Sequence, residues 1–256
     1  MKFKQLRNAT IIIEYAGKKF LVDPMLAEKE AVPGFEGTIN SHKRNPLVDL
    51  PVSMDEILDV DAVIVTHIHP DHWDEAAINL VPKDMLIFAQ NEKDAAEIRA
   101  QGFSNIRVLG ENTVFDGITL IKTPGQHGRG KTLEDLADLL GHVSGVVFKH
   151  PDEKTVYIAG DTVWYEGVEE NLKKYEPDVV ILNSGDAQVL DYDPIIMDKK
   201  DVYEVYKAAP KATIIASHME SVNHAMLSRK ELREFLSEKN MTQRVLVPED
   251  GEVCTF

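Results

Sequence analysis

The stretch Thr66-His67-Ile68-His69-Pro70-Asp71-His72 gathers three of the chain's nine histidines within six positions. Imidazole is the commonest metal ligand in proteins, and aspartate adds a hard anionic oxygen. In an extended segment His67 and His69 point to the same side, because side-chain direction repeats every two residues. They are therefore placed to grip one ion together. A turn after Pro70 would let Asp71 and His72 face a second ion a few ångströms away. The chemistry such a cluster offers is metal-assisted hydrolysis. A divalent cation lowers the pKa of bound water from about 15.7 to roughly 7, so hydroxide becomes available at neutral pH.

One loop does not complete a metal site, so further ligands must come from comparable places in the chain. Ala62-Val63-Ile64-Val65-Thr66 reads as a buried strand, with the histidine cluster at its C-terminal end. His127 stands just past the predicted strand 118–123, in Thr123-Pro124-Gly125-Gln126-His127. Asp161 follows the predicted strand 155–159, and Gly160 before it permits close backbone approach. His218 comes directly after Ile214-Ile215-Ala216-Ser217. One placement is thus repeated: a ligand-type side chain immediately beyond a strand.

The other elements fit an α/β chain. Residues 10–15 and 20–23 read as a hairpin that Pro24 ends. Residues 24–53 hold Pro33, Gly34, Gly37, Pro46 and Pro51 with little periodicity, which predicts a long loop, a functional lid or a disordered segment flanking the site. Strands are predicted at 85–88, 106–109, 144–149, 179–182, 213–217 and 245–247, and helices at 92–100 and 201–208. Leu133, Leu136, Ala137 and Leu140 fall at the spacing of a short amphipathic helix. A helix over 228–237 would open on a capping box formed by Ser228 and Glu231. No linker or repeat divides the chain, so residues 1–256 read as a single domain.

Composition narrows the function classes. The 256 residues include 28 Lys plus Arg against 43 Asp plus Glu, a formal net charge of −15. With 43% apolar and 28% charged residues, this is the composition of a folded soluble protein. The acidic excess argues against binding nucleic acid or an anionic membrane, since phosphates would be repelled over most of the surface. No apolar run reaches the roughly eighteen residues of a membrane span. The single cysteine, Cys254, forms no internal disulfide and reads as an incidental thiol. Lys2, Lys4 and Arg7 precede only a short apolar run, Ala9 to Ile13, too brief for a signal peptide, so a cytoplasmic protein is expected. Neither a Gly-x-Ser-x-Gly elbow nor a P-loop pattern appears.

In its histidines and aspartates the chain resembles the metallo-β-lactamase superfamily of metal-dependent hydrolases. The resemblance rests on His67, His69, Asp71 and His72, then His127, Asp161 and His218, in the family's order. Asp23, in Leu21-Val22-Asp23-Pro24, matches the family's early aspartate, so the motifs run from residue 23 to 218. The segment from Arg7-Asn8-Ala9-Thr10 to Asp23-Pro24 looks closest to the branch containing the ascorbate-6-phosphate lactonase. The resemblance implies a four-layer αβ/βα sandwich, two facing sheets with helices outside, and a two-metal site at one edge. It implies further that His67, His69 and His127 hold one ion, that Asp71, His72 and His218 hold the other, and that Asp161 bridges them. Asp23 would lie outside the ligand set and fix the geometry of the ligand loop. Such a nitrogen–oxygen set suits two divalent ions, Zn²⁺ or Mn²⁺, with Fe²⁺ also compatible.

The activity this implies is hydrolysis by a metal-bridging hydroxide, with Asp71 orienting the nucleophile or carrying its proton. The target would be an ester-like, lactone or phosphodiester bond of a small anionic molecule. Arg129 and Lys131 beside His127, and Asn40, His42, Lys43 and Arg44 in the long loop, are candidates for steering such an anion inward. His224, six residues after His218, is a candidate acid or substrate contact, whereas Trp164 and Tyr165 are expected to pack the core. Three rival readings keep the same ligand frame: a ribonuclease of the superfamily, a di-metal redox protein, and a ligand sensor without turnover. A homo-oligomer is compatible with the sequence.

Overall fold

Fourteen strands form two seven-stranded sheets in this computed structural model, which describes residues 1–256. The first sheet begins with an antiparallel meander, β1 (Lys2–Arg7), β2 (Thr10–Tyr15) and β3 (Lys18–Val22). It continues in parallel through β4 (Ala62–Val65), β5 (Ile87–Ala89) and β6 (Ile106–Val108). The second sheet starts with antiparallel β7 (Thr113–Phe115), β8 (Ile118–Pro124), β9 (Ser144–Lys149) and β10 (Val156–Ile158). Parallel strands β11 (Val179–Asn183), β12 (Thr213–Ser217) and β13 (Val245–Leu246) complete it. The last strand, β14 (Val253–Thr255), returns to pair with β1 at the edge of the first sheet.

Side-chain alternation assigns each strand face to a layer. Along β4, Ala62 and Ile64 enter the core between the sheets, while Val63 and Val65 enter the core outside the first sheet. Along β11, Val179 and Ile181 point inward while Val180 and Leu182 point to the opposite outer face. Both faces are buried, which is why these strands read as unbroken apolar runs. Each large aliphatic side chain so buried contributes about 1.5–3 kcal/mol. Tyr15 and Phe20 meet Phe148 edge-on across the inner layer, at 5.5 and 5.2 Å between centroids. Helices α1 (Met54–Leu58), α2 (Glu75–Leu80) and α3 (Glu92–Ala100) contribute Ile57, Ala77, Ala95 and Ile98 to the first outer core. After the short helices α4 (Lys131–Asp135) and α5 (Ala137–Leu140), the helices α6 (Glu166–Tyr175), α7 (Lys199–Ala208) and α8 (Arg229–Glu238) cover the second sheet through Val168, Leu172, Val202, Val205, Leu232 and Leu236. The arrangement is the expected four-layer αβ/βα sandwich. No helix is long and apolar enough to cross a membrane.

The Ser228–Glu231 capping box forms as the spacing predicts, its two reciprocal bonds measuring 3.2 and 3.1 Å. Residues 133–140 do not form one amphipathic helix. They lie in two short helices broken at Leu136, with Leu133 and Leu139 exposed at 37% and 67%. Only Leu140 is buried, against Ala187, Ile195 and Ile196, because no sheet lies beneath this segment to receive a full stripe. The basic N-terminal stretch is a strand, with Phe3, Gln5 and Leu6 buried between its charges.

Residues 24–53 are fastened at their base by Arg7. This buried guanidinium donates to Met25 O at 2.7 Å, to Val48 O at 3.0 Å and to Ala27 O, joining both ends of the segment. Burial lowers its pKa to about 10, so it stays charged at neutral pH. Short backbone bridges, Val32 with Asn45 and Thr38 with Val189, tie the middle of the segment to itself and to the 187–190 loop.

Candidate metal centre and cleft

The strands that end at the site, β3, β4, β8, β10 and β12, each run toward the same rim of the sandwich. Within the first sheet β3 and β4 are parallel. In the second, β9 opposes both β8 and β10, and β10, β11 and β12 are parallel. Residues placed just beyond their C-terminal ends therefore meet. Three interlocking triads result: His67, His69 and His127; His67, His72 and Asp161; and Asp71, His72 and His218, the donor atoms of each lying within 4.8 Å of one another. Asp161 is the common neighbour. Its Oδ2 stands 3.1 Å from His72 Nε2, 3.7 Å from His127 Nε2 and 3.8 Å from His67 Nε2, while Oδ1 stands 3.7 Å from His218 Nε2.

Outer hydrogen bonds set which imidazole nitrogen faces the centre. His127 Nδ1 donates to Ile195 O at 2.8 Å and His72 Nδ1 to Asp23 Oδ2 at 2.9 Å; His67 Nδ1 lies 3.2 Å from Thr66 Oγ1. Asp23 also accepts from the Thr66 backbone N–H and hydroxyl, both at 2.7 Å. With those protons outward, lone pairs point inward. His67 Nε2 then meets His69 Nδ1 at 3.0 Å, and His72 Nε2 meets His218 Nε2 at 3.2 Å. Lone pairs facing lone pairs and carboxylates repel unless positive charge lies between them, so this donor set fits divalent cations.

The electrostatics agree. Burial, reinforced by His72 and His69, holds the His67 pKa well below its ordinary value, and burial brings His127 down to about 4. Burial opposes ionisation of Asp71 and Asp161, but His72 and His218 outweigh it and hold both well below the usual carboxylate range. Burial also disfavours a charged His72, yet Asp161, Asp71 and Asp23 together raise its pKa well above the ordinary value. The neutral His67 and His127 imidazoles and the ionised Asp71 and Asp161 carboxylates thus surround a point that attracts positive charge, a charge that His72 carries as a proton.

Local backbone places these groups at some cost. Asp23 and His218 adopt left-handed conformations, φ +47° and +62°. Gly160 is also left-handed, and a Cβ there would stand 2.3 Å from Ser144 O, so only glycine fits before Asp161. Two asparagines outside the predicted site residues complete the frame. Asn183, closing β11, donates from Nδ2 to Asp161 Oδ1 at 2.7 Å. Asn8 donates to Asp71 O at 2.9 Å, and its carbonyl accepts from His218 N at 3.0 Å. Asn183 obeys the same strand-end rule as the ligands and was legible on that basis; nothing local marks Asn8.

Above this centre opens a cleft of about 300 Å³. His69, Asp71, His127 and Asp161 form its polar floor, and Phe35, Leu139, Leu140, Val189 and Ile195 its apolar walls. His224 lines it too, with its ring edge-on to Phe35 at 5.2 Å. The expected cationic guidance is not there: neither lysine nor arginine lines the cleft, and Glu36 lies at its border. Arg129 pairs instead with Asp201. Lys131 is exposed beside Asp135 and the Tyr192 ring. In the long loop His42 and Lys43 face solvent, Arg44 donates to the Glu30 and Ala31 carbonyls, and Asn40 donates to Asn223 O. Arg129, Arg44 and Asn40 are thus occupied by protein partners, and His42, Lys43 and Lys131 lie outside the cleft. Trp164 and Tyr165 pack on the outer core of the second sheet.

A family model described as Beta-lactamase superfamily domain matches residues 18–219. The chain is 55% identical over 257 residues to the UPF0173 protein YddR of Bacillus subtilis (strain 168), covering 100% of both. It is 26% identical over 256 residues to a UPF0173 metal-dependent hydrolase of Pyrococcus abyssi (strain GE5 / Orsay), covering 98% of each. Among solved structures it matches the isothiocyanate hydrolase from Delia radicum gut bacteria with a TM-score of 0.98 and 56% identity, over 100% of this chain and 99% of that one.

Proposed function

This chain belongs to the beta-lactamase superfamily and, within it, to the UPF0173 metal-dependent hydrolases, and on that footing we propose that it hydrolyses a small, largely apolar molecule with an electrophilic carbon, of the isothiocyanate class. It is a metal-dependent hydrolase; the number of ions, the ligand set and the bond cleaved are the proposal. The observation that carries it is the set of three donor triads, four of whose members, His69, Asp71, His127 and Asp161, form the floor of a small apolar cleft that lacks any lysine or arginine. Such walls suit a neutral substrate better than the anionic one that the sequence suggests.

His67, His69 and His127 would hold one divalent cation, Asp71, His72 and His218 a second, and Asp161 would reach both. When bound, the pair would supply an acidified water and an electrophilic contact for the substrate. The apolar walls receive the organic group and keep bulk water off the reacting carbon. Asp71 faces the cleft with its carboxylate ionised, where it would orient the attacking water or carry its proton to the substrate nitrogen. His224, which burial keeps neutral, offers a hydrogen bond to the substrate nitrogen. Addition of water across the C=N bond of R–N=C=S yields a thiocarbamic acid, which breaks down to a primary amine and carbonyl sulfide.

The test joins metal content to turnover. Protein purified without chelator should carry close to two transition-metal ions per chain and release amine and carbonyl sulfide from methyl and benzyl isothiocyanates. Asp161→Asn should lose both properties. Metal-loaded protein that leaves isothiocyanates intact while cleaving lactones or phosphodiesters would overturn the substrate class, and metal-replete protein binding no ion would overturn the site.

A further inference from the structure

We infer that Asn223 is the positioning residue of the cleft: it clamps the 35–45 segment as a fixed wall, and so sets the size of substrate group the cleft admits. Its role in selecting substrate rests on the hydrolytic reading above; its clamping role rests on geometry alone. Asn223 and Asn45 are both buried, and the Asn45 carboxamide meets both the side chain and the backbone of Asn223: Asn45 Nδ2 donates to Asn223 Oδ1 and the Asn223 backbone N–H donates to Asn45 Oδ1, both at 2.8 Å. Asn223 Oδ1 also accepts from Phe35 N at 3.1 Å. Its Nδ2 donates to Thr38 Oγ1 and Ile39 O, each at 2.8 Å. The whole carboxamide is used, two donors and one doubly occupied acceptor. Aspartate lacks the donors and glutamine has the wrong reach, so asparagine alone meets this geometry.

What the clamp holds is the cleft wall. Phe35, Glu36 and Thr38 line the cleft, and Thr38 Oγ1 in turn donates to Phe35 O at 2.6 Å. The next residue in the chain is His224, whose ring Phe35 meets edge-on, and whose carbonyl accepts from Gln188 N at 3.0 Å. Thr38 bridges to Val189 and Ala187 bridges to Ala225, so three separate loops form one small patch around a single amide. A free lid would have solvated or mobile backbone at these positions; here it is spoken for by buried partners.

Asn223→Ala, Phe35→Ala and the double variant should be compared with the wild type on methyl and benzyl isothiocyanate, alongside metal content and hydrogen–deuterium exchange. Phe35→Ala should move the benzyl-to-methyl preference toward benzyl by about tenfold, chiefly through KM, as a pocket change of this size does. Asn223→Ala should move it the same way with metal content unchanged, and the double variant should move it no further, since both act through one wall. Exchange should rise over 32–45 in Asn223→Ala and remain slow over 62–72. If Asn223→Ala fails to fold, Thr38→Val removes one bond of the Asn223 amide together with the Thr38–Phe35 bond, leaves the other Asn223 bonds in place, and should give a smaller shift of the same sign. Unchanged exchange over 32–45, or equal loss of turnover on both substrates, would overturn the inference. A wild type inert to isothiocyanates would overturn only the substrate reading; the exchange comparison, and small against bulky members of whichever class it hydrolyses, would then decide the clamp.

Discussion

The Asn183 amide donates to Asp161 Oδ1 at 2.7 Å, leaving Oδ2 turned toward His72, His67 and His127. A carboxylate with one oxygen so fixed offers the other in a defined direction, and an outer partner of this kind tunes a metal site without touching the ion. Replacing Asn183 by leucine keeps the volume and removes the donor. Metal affinity should fall about 10–100-fold with the fold intact, measured by competition with a chromophoric chelator. Affinity equal to wild type would show that His72 and the backbone alone orient Asp161. The same reasoning explains what the residues disclosed in advance. A histidine or aspartate that binds metal must be that residue, so the ligand types are visible in a string of letters. Asn8, Asn183 and Asn223 act through amides that many surface positions also carry, and only their surroundings distinguish them.

Elements contribute direction. Strands β4, β8, β10 and β12 are recognisable because their apolar runs are local, and each is followed by a candidate donor side chain. Helix α6 is not among the helices predicted from sequence, although its buried Val168 and Leu172 lie one turn apart on a single face. The segment over residues 24–53 was legible only as irregular. Its order comes from partners far along the chain, first of all Arg7. That side chain serves the carbonyls of Met25, Ala27 and Val48 in a buried setting. In Arg7→Met those acceptors lose their donor, each at about 1–3 kcal/mol. The variant should therefore be destabilised by about 3 kcal/mol or more, read as a lower urea midpoint at unchanged m-value. A midpoint within error of wild type would mean that water replaces the guanidinium at no cost.

At the scale of the whole molecule, the net charge of −15 and the buried carboxylates of the centre act in one direction. Both favour cations and disfavour polyanions, and the cleft adds no lysine or arginine to reverse this. Because Asp71 and Asp161 are brought together with His72 and His218 only in the folded chain, ions that bind there stabilise the fold by mass action. At a hundredfold excess over Kd that linkage is about 2.7 kcal/mol, which for a chain of this size is a rise in melting temperature of about 5–10 °C. Stripping the protein with EDTA should lower Tm by that amount, and Zn²⁺ or Mn²⁺ should restore it. A melting curve indifferent to chelation would mean that the donor triads hold no ion in solution.

The sequence by itself determined the candidate donor side chains, their order along the chain and the strands that deliver them. Each of these rests on side-chain identity or on a period of two residues, both of which are local. The character of the cleft was decided by tertiary structure. Whether Arg129 served an anion or Asp201, and whether residues 24–53 hung free or formed a wall, depended on groups as far apart as Arg129 and Asp201, 72 positions away, or Asn45 and Asn223, 178 away. Hydrogen bonds over such separations leave no periodic trace in the chain, because they depend on where folding brings two polar groups and on neither group's neighbours.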